Sequence, residues 1–240
     1  MSLVSSHRYS SEDLAVWRRR ERQDRVWGSS AAFRSRVASA ERAIMRFLSA
    51  GDAWVAVSWG KDSVVVADMA ARLCPDIPVI HVRVDPLDNP DCPSVRDAFL
   101  ERHPLVAYEE IVETCTHDKD GWHATGTLER GFARAVKAYG LRSINGIRGQ
   151  ESRVRALRVR RWGQASPNRC APLAWWSGPD VFAYLYQRSL PVHPAYACSL
   201  VGTLDRDRIR VAFLDLKHGR GRGRQEWERR YYPDVIGSLR

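Results

Sequence analysis

Residues 58–63 combine two hydroxyls, a glycine, a lysine and a carboxylate in one short polar turn. The apolar residues 53–57 before them have the composition of a buried strand, and residues 64–73 after them that of a helix. A strand, a tight turn and a helix N-terminus aim backbone N–H groups and hydroxyls at one point. The segment predicts an anion-binding loop; the alternative interpretation is a strand-to-helix turn capped by Ser58 or Asp62.

The spacing inside this loop excludes two common phosphate-binding motifs. A Walker A loop needs serine or threonine after the lysine and a glycine where Val55 stands, and a dinucleotide fingerprint needs more than one glycine. The loop instead resembles the PP-loop of the adenine nucleotide α-hydrolase superfamily, whose usual form is S-G-G-x-D-S. Trp59 replaces the first glycine of that form, and a positive φ there would strain a tryptophan.

The PP-loop resemblance implies a chemistry and its cofactors, ATP and Mg²⁺. In that superfamily the loop binds the β- and γ-phosphates of ATP, and attack on the α-phosphate releases pyrophosphate. Lys61 and the backbone amides of residues 60–63 are then expected to balance the charge of the pyrophosphate, and Asp62 to hold the metal. Only four of the 38 basic residues are lysines, which makes a lysine at this position informative.

Three later segments narrow the resemblance to phosphoadenosine phosphosulfate (PAPS) reductases and their relatives. Residues 146–155 resemble that family's G-x-R-x-x-E-S-x-x-R segment. Residues 170–185 resemble its P-L-x-x-W-x-x-x-D-V-x-x-Y-L stretch, and residues 190–196 match the proline-rich turn that follows. Together with the loop, the resemblance covers residues 53–202.

By this resemblance Arg148 and Arg155 contact a substrate phosphate or sulfate, while Glu151 and Ser152 shape the turn. An arginine-rich, solvated helix start is the alternative interpretation of the same residues. The resemblance assigns catalysis to Lys61, Asp62 and Arg148, and metal binding to Asp62. The expected nucleotide-binding residues are Ser58, Trp59, Gly60, Lys61, Asp62, Ser63, Arg83, Asp85, Gly146, Glu151, Ser152 and Arg155.

Arg83 and Asp85 enter that set because they end the second predicted strand, which the implied fold turns toward adenosine. His81, on the same strand, is interpreted as a core residue. The polar loop of residues 116–123 is interpreted as solvated, although its position would suit a lid.

The five cysteines depart from the reductase pattern. PAPS reductases carry a nucleophilic cysteine in a C-terminal E-C-G-L-H motif, and no cysteine follows Cys198 here. The Cys-Cys and C-x-x-C pairs of iron–sulfur relatives are also missing, so no iron–sulfur cluster is expected. A reductase acting through its own thiol would lack its chemistry. Cys74 and Cys170 are interpreted as small buried hydrophobes, and Cys198 stays open as a sulfur-handling thiol.

Apolar runs alternate with helical patterns between residues 31 and 188, which predicts an α/β fold with a mostly parallel sheet and helices on both faces. The resemblance makes this fold Rossmann-like, of the adenine nucleotide α-hydrolase type. We expect an N-terminal arm or short helix at residues 1–30, a nucleotide-binding domain at 31–200, and a basic tail at 201–240 that packs on or extends the domain.

Composition limits the class of protein. The chain is 44% hydrophobic, has no apolar run of transmembrane length and lacks a signal-peptide pattern, so we expect a cytoplasmic protein without a membrane partner. The net charge of +10 is consistent with either a GC-rich coding bias or a polyanionic partner. Arginines crowd residues 148–161 and alternate with glycines at Arg220, Arg222 and Arg224, almost without acidic neighbours. This placement favours binding of DNA or another polyanion through these segments.

The sequence therefore favours a PP-loop ATP pyrophosphatase that adenylates an acceptor. Among relatives without the reductase cysteine, the ATP-using component of DNA phosphorothioation systems fits best, with a nucleic-acid backbone phosphate as acceptor and a cysteine desulfurase as sulfur donor. Two alternatives stay open: a PAPS-reductase-like or ATP-sulfurylase-like enzyme acting on a small sulfonucleotide, and a non-catalytic nucleotide- or nucleic-acid-binding module. Trp59 in the loop favours the second alternative.

Overall fold

The structure, a computed structural model, describes residues 2–118, 121–214 and 224–239. The strands in these ranges are β1 (Ser2–Leu3), β2 (Trp54–Val57), β3 (Pro78–Asp85), β4 (Ala107–Thr114), β5 (His117–Asp118), β6 (Gly121–Trp122), β7 (Ser143–Ile144), β8 (Ala165–Ser166), β9 (Arg169–Cys170) and β10 (Pro191–Val192). The α-helices are α1 (Ser11–Gly28), α2 (Ala31–Leu48), α3 (Lys61–Leu73), α4 (Cys92–Arg102), α5 (Ala124–Tyr139), α6 (Arg153–Trp162), α7 (Gly178–Gln187), α8 (Arg224–Tyr231) and α9 (Pro233–Ser238). The predicted basic arm at Arg220 and Arg222 lies outside the described residues.

A six-stranded sheet has the order β4-β3-β2-β7-β9-β8, parallel throughout except for the antiparallel pair of β8 and β9. The chain moves outward from β2 to β3 and β4, and then returns to β7 on the other side of β2. In open α/β sheets a ligand crevice forms at such a reversal of strand order, beyond the carboxyl ends of the strands. Here those are the carboxyl ends of β2 and β7.

Helices cover both faces of this sheet because successive side chains of a strand point to opposite sides. On β2, Trp54 packs with Ile80 and Val82 beneath α5, whereas Val55 and Val57 belong to the main core on the other face. Helices α2, α3 and α7 lie on that second face. The predicted α/β fold with a mostly parallel sheet and helices on both faces is confirmed.

Two parts of the architecture differ from the expectations. α3 begins at Lys61 rather than at residue 64, because the polar residues 61–63 form its first turn. α6 and the short β8–β9 hairpin were not predicted as elements. α6 buries only Val159 of its ten residues, so it shows no apolar period that a sequence pattern could reveal.

The N-terminal helix and the C-terminal helix α8 both pack on the turn at residues 198–201. α1 packs on α7, and its Asp13 carboxylate accepts hydrogen bonds from Ser199 N–H (3.3 Å), Val201 N–H (3.0 Å) and the Tyr231 hydroxyl (2.8 Å). The buried Trp227 of α8 donates its indole N–H to the Cys198 carbonyl at 2.6 Å. Residues 2–28 therefore include a packed helix, and none of the described helices is long and apolar enough to cross a membrane.

Candidate active site

The predicted anion loop connects β2 to α3 and lies at the reversal of strand order. Residues 146–148, which follow β7, run directly beside it. A Cβ on Gly146 would lie only 2.8 Å from the Asp62 carbonyl carbon, so only glycine lets the two segments approach this closely. The sequence-predicted residues Gly146 and Arg148 are thus brought to the loop.

Hydrogen bonds within the loop fix its turn. Ser58 N–H donates to Ser63 Oγ (3.2 Å), the Ser63 hydroxyl donates to the Gly60 carbonyl (2.9 Å), and Lys61 N–H donates to the Tyr196 hydroxyl (3.0 Å). The N–H groups of Asp62 and Ser63 belong to the first turn of α3, where a helix supplies no backbone acceptor. These two donors are available to an anion at the helix N-terminus.

Trp59 occupies the position where the resembling motif has glycine. Its φ is +54°, in the left-handed region, so the expected backbone strain is present. The indole is 1% exposed and lies in the main core, with its ring 5.6 Å from those of Phe99 and Tyr108. Trp59 therefore contributes backbone to the loop, and its side chain stabilises the core behind it.

Four charged residues beside the loop form ion pairs with one another, and we call Lys61, Asp62, Arg148 and Asp207 the charge cluster. Lys61 Nζ lies 2.9 Å from Asp62 Oδ2 and 3.4 Å from Asp207 Oδ1. Arg148 Nε lies 2.6 Å from Asp62 Oδ1, and Arg148 Nη2 lies 2.7 Å from Asp207 Oδ1. The Lys61 and Arg148 side chains are 3% and 1% exposed, so the two cations are balanced by carboxylates rather than by water.

Electrostatics within the charge cluster keep Lys61, Asp62 and Arg148 ionised. Burial opposes the charge on Lys61, but the Asp62 and Asp207 carboxylates outweigh it and raise the lysine pKa. Burial likewise opposes ionisation of Asp62, but Lys61 and Arg148 outweigh it and lower the aspartate pKa. The Arg148 pKa is raised against burial by the same two carboxylates. Two buried cations therefore stay charged at neutral pH.

One donor of the charge cluster has no partner. Arg148 Nη1 is buried and makes no hydrogen bond to any residue that the structure describes. An unsatisfied buried guanidinium N–H is costly, and an anion oxygen is the acceptor that suits it. Together with the two free amides of α3, this donor makes the loop chemically suited to a phosphate or sulfate group.

Three other predicted residues shape the start of α6 instead of joining the loop. The Glu151 carboxylate accepts a hydrogen bond from Arg148 N–H (3.2 Å) and forms an ion pair with Arg155. The Ser152 hydroxyl caps α6 by accepting a hydrogen bond from Arg155 N–H at 3.2 Å. Glu151 and Ser152 thus occupy the turn-shaping positions that the family resemblance gave them, and they orient the backbone of Arg148.

Arg83 and Asp85, predicted at an adenosine site, lie at the end of β3. The Arg83 guanidinium forms ion pairs with Glu110 (3.0 Å) and with Asp85 (3.4 Å). A cavity of about 80 Å³ next to the loop does not include them. It is lined instead by Ser58, His81, Asp88 and neighbouring apolar residues. His81, which sequence reasoning assigned to the core, is buried but lines this cavity.

The sequence analysis did not identify Asp207 as a site residue, and it placed Tyr196 in a turn without predicting its contact with the loop. Asp207 sits in a short 3₁₀ turn at residues 206–208, far along the chain from the loop, and no local pattern marks it. Tyr196 belongs to the predicted proline-rich turn, but the pattern does not show that its hydroxyl accepts a hydrogen bond from the loop. Burial raises the Tyr196 pKa to about 12, so the hydroxyl stays protonated.

The cysteines nearest the site are held as neutral thiols. Cys198 is fully buried, donates to the Pro194 carbonyl (3.6 Å), and has its pKa raised by burial. Cys92 lies 3.8 Å from His193 Nε2, but His193 Nδ1 accepts the Ala195 N–H, which leaves the ring proton on Nε2. His193 therefore donates toward the sulfur and cannot act as its base.

The donor set for a divalent cation is small. Among the described residues there is no group of three or more histidine, cysteine or acidic side chains suited to a metal. Asp62 and Asp207 supply carboxylate oxygens to the same pair of cations. Magnesium is commonly held by one or two carboxylates together with substrate phosphates, so these two residues fit it when a polyphosphate is present.

Comparison with known proteins gives a family. Residues 52–201 match the profile of the phosphoadenosine phosphosulfate reductase domain. Among solved structures, the chain is similar to phosphoadenylyl-sulfate (PAPS) reductase from Candida auris, in a phosphate complex. The two share 15% identity with a TM-score of 0.44, over 65% of this chain and 82% of that one. No curated protein matches the sequence. Because the profile match spans more than half of the chain, this protein belongs to the phosphoadenosine phosphosulfate reductase family.

Proposed function

We propose that the protein is an ATP pyrophosphatase that adenylates a phosphate acceptor for sulfur incorporation, with a nucleic-acid backbone phosphate as the acceptor. The charge cluster carries this proposal. It places two permanently charged, buried cations and an unpartnered Arg148 N–H beside a helix N-terminus. Such preorganised donors stabilise charge that develops on a leaving phosphate group.

In the proposed reaction, an oxygen of the acceptor attacks the α-phosphorus of ATP and the bond to the α–β bridging oxygen breaks. Pyrophosphate leaves, and the acceptor carries AMP. Lys61 and the first-turn amides of α3 hold the departing pyrophosphate, while Arg148 orients a phosphate through its planar guanidinium. Magnesium, held by Asp62, would supply further neutralisation of phosphate charge.

The surface of α6 supports a polyanionic acceptor. The helix carries Arg153, Arg158, Arg160 and Arg161, which we call the arginine face of α6 and which have no carboxylate partner among the described residues. Trp162 is 47% exposed, with the Arg161 guanidinium 5.0 Å from its ring. It lines an open depression of about 390 Å³ together with Arg158 and Arg169. Exposed aromatic rings among arginines suit stacked bases and phosphates.

One of the three predicted tail arginines is already engaged within the chain. The Arg224 guanidinium donates hydrogen bonds to the Glu228 carboxylate and to the carbonyls of Arg210 and Phe213. Among the described residues, the acceptor surface is therefore proposed on α6.

The decisive experiment incubates the protein with α-³²P-labelled ATP and Mg²⁺, with and without single-stranded or duplex DNA, and separates the products. We expect unlabelled pyrophosphate and labelled AMP, the AMP either attached to the DNA or released from it by water, with formation accelerated by DNA. Lys61→Met should lower turnover by about 10²-fold or more, since it removes a preorganised charge. Lys137→Met, at an exposed lysine of α5, is the matched control and should leave turnover unchanged.

The products separate the proposal from its alternatives. ADP and inorganic phosphate would show that a different bond is broken. Acceleration by sulfate or adenosine phosphosulfate, with none by DNA, would indicate a small-molecule sulfonucleotide enzyme. The absence of a dedicated C-terminal thiol predicts no sulfite release from PAPS with thioredoxin. Sulfite release that persists in Cys198→Ala would overturn that prediction.

DNA binding is tested separately by fluorescence anisotropy over a salt series. Replacing Arg158, Arg160 and Arg161 by glutamine should weaken binding and flatten the salt dependence, since each phosphate contact contributes about −0.9 to the slope of log affinity against log salt. The matched control replaces Arg18, Arg19 and Arg22, which lie exposed on α1. Equal losses in both variants would show that net charge alone, and not the arginine face of α6, attracts DNA.

A cysteine desulfurase remains the proposed sulfur-donating partner.

A further inference from the structure

A carboxylate already occupies the position that suits the anion. Asp207 Oδ1 lies 2.7 Å from Arg148 Nη2 and 3.4 Å from Lys61 Nζ, so it bridges the two cations of the charge cluster. A phosphate oxygen binding to the same two groups would take this place. Asp62 differs from Asp207 because it is fixed in the first turn of α3, as part of the loop itself.

Asp207 is seated by packing as well as by charge. A Cβ built on Gly178 would lie 2.3 Å from the Asp207 Cγ, so the carboxyl group rests directly on the first residue of α7. Any side chain at position 178 would displace it. The Asp207 N–H is held in turn by the Asp205 carboxylate at 3.0 Å.

The residues after Asp207 close the same site, and we call residues 207–214 the closing segment. The Val211 side chain lies over the loop, 3.1 Å from where a Cβ on Gly60 would be. Phe213 walls the cavity beside Ser58, and Leu214 N–H donates to the Leu87 carbonyl at 2.9 Å. The cavity of about 80 Å³ is far smaller than the roughly 300 Å³ or more of a small-molecule site. The cavity beside Ser58 is too small for a nucleotide, so a group that now fills the site has to be displaced before a nucleotide binds.

Charge balance points to the same conclusion. The cluster contains two cations and two carboxylates, so a polyphosphate entering it unchanged would meet like charge from Asp207 at contact distance. Like charges placed together oppose binding strongly. The repulsion is removed when Asp207 leaves Lys61 and Arg148.

From these contacts we propose that Asp207 is a built-in competitor for the phosphate site. Its carboxylate holds Lys61 and Arg148, and a polyphosphate binds by displacing that carboxylate from the two cations. This inference deepens the proposed function, since it describes how the same site is regulated. Its own content is the competition between one carboxylate and an incoming anion.

The test measures binding of inorganic pyrophosphate by calorimetry, in EDTA and again with Mg²⁺. In EDTA, Asp207→Asn should bind pyrophosphate at least about tenfold more tightly than the wild type, because the resident carboxylate is gone. Gly178→Ala should do the same with Asp207 intact, because the added methyl group pushes the carboxylate from its seat. Asp97→Asn is the matched control, with the same charge change at an exposed carboxylate of α4 that pairs with Arg96 and with neither cation of the charge cluster, and it should bind like the wild type.

Thermal unfolding of each variant establishes that it is folded. Unchanged or weaker pyrophosphate binding by a folded Asp207→Asn variant in EDTA would overturn the inference. A variant that differs from the wild type only by binding pyrophosphate more weakly in Mg²⁺ would also overturn it, because Asp207 would then be a metal ligand only. The readout does not depend on ATP cleavage. Tighter pyrophosphate binding without AMP formation would retain Asp207 as competitor while rejecting the proposed function, and AMP formation without tighter binding would do the reverse.

Discussion

The charge cluster and the arginine face of α6 both contain arginines, but carboxylates neutralise the arginine of the cluster and not those of α6. In the cluster, Arg148 is 1% exposed and pairs with Asp62 and Asp207. On α6, Arg158 has no carboxylate partner among the described residues, and its pKa is lowered, by burial first and then by the nearby cations Arg169 and Arg155. Buried charges that neutralise one another can hold a defined group in place, whereas exposed charges of a single sign attract any polyanion.

This contrast predicts the largest difference between two identical substitutions. Arg148→Met leaves two carboxylates facing a single cation and should lower the free energy of unfolding by about 3–5 kcal/mol. Arg158→Met removes an unpaired surface charge and should change it by about 0.5 kcal/mol or less. Urea denaturation followed by tryptophan fluorescence measures both. Similar losses of unfolding free energy in the two variants would show that the ion pairs of the charge cluster do not stabilise the fold more than an unpaired surface arginine does.

A second pair of substitutions compares a buried tryptophan beside the charge cluster with an exposed tryptophan elsewhere. Trp59→Gly restores the motif glycine and relieves the positive φ, but it empties the space of a buried indole, so the free energy of unfolding should fall by about 2–4 kcal/mol. Because Trp59 gives the loop only its backbone, pyrophosphate affinity should change by less than about threefold. Trp175→Gly, at a 57% exposed tryptophan, should cost about 1 kcal/mol or less. A large loss of affinity in Trp59→Gly would place its indole in the binding site.

The loop, its flanking strand and helix, and Arg148 were predictable because local patterns mark each of them. An apolar strand, a turn with glycine and a helix start are short-range signals, and residues 146–155 carry a family motif. The same signals found β2, β3 and β4 and the helices between them. Their boundaries shifted by a few residues where polar side chains form a first helical turn.

Asp207 and α6 could not be found in that way, for two different physical reasons. Asp207 meets Arg148 across 59 residues of chain, and such an ion pair leaves no periodic trace in the sequence. α6 points Val154 and Leu157 to solvent, 77% and 64% exposed, so its apolar residues do not mark a buried face. The arginine cluster was visible, but its helical arrangement and exposure come from the fold.

The smallest effect we predict is a dependence on acid pH that the charge cluster shows and the arginine face of α6 does not. The folded-state pKa of Asp62 lies below its ordinary value of 3.8, because Lys61 and Arg148 favour the carboxylate more than burial disfavours it. Asp62 therefore contributes its full ionic stabilisation above pH 3.8 and loses it as the pH falls through the lowered pKa. The difference in unfolding free energy between the wild type and Asp62→Asn should then be constant from pH 7 to about 5 and should narrow below pH 3.8. Arg158→Gln, whose site lacks a paired carboxylate among the described residues, should differ from the wild type by the same small amount at every pH. Urea titrations at half-unit pH steps compare the two gaps. A gap for Asp62→Asn that stays constant into acid would mean that Asp62 stabilises the loop through hydrogen-bond geometry rather than through its charge.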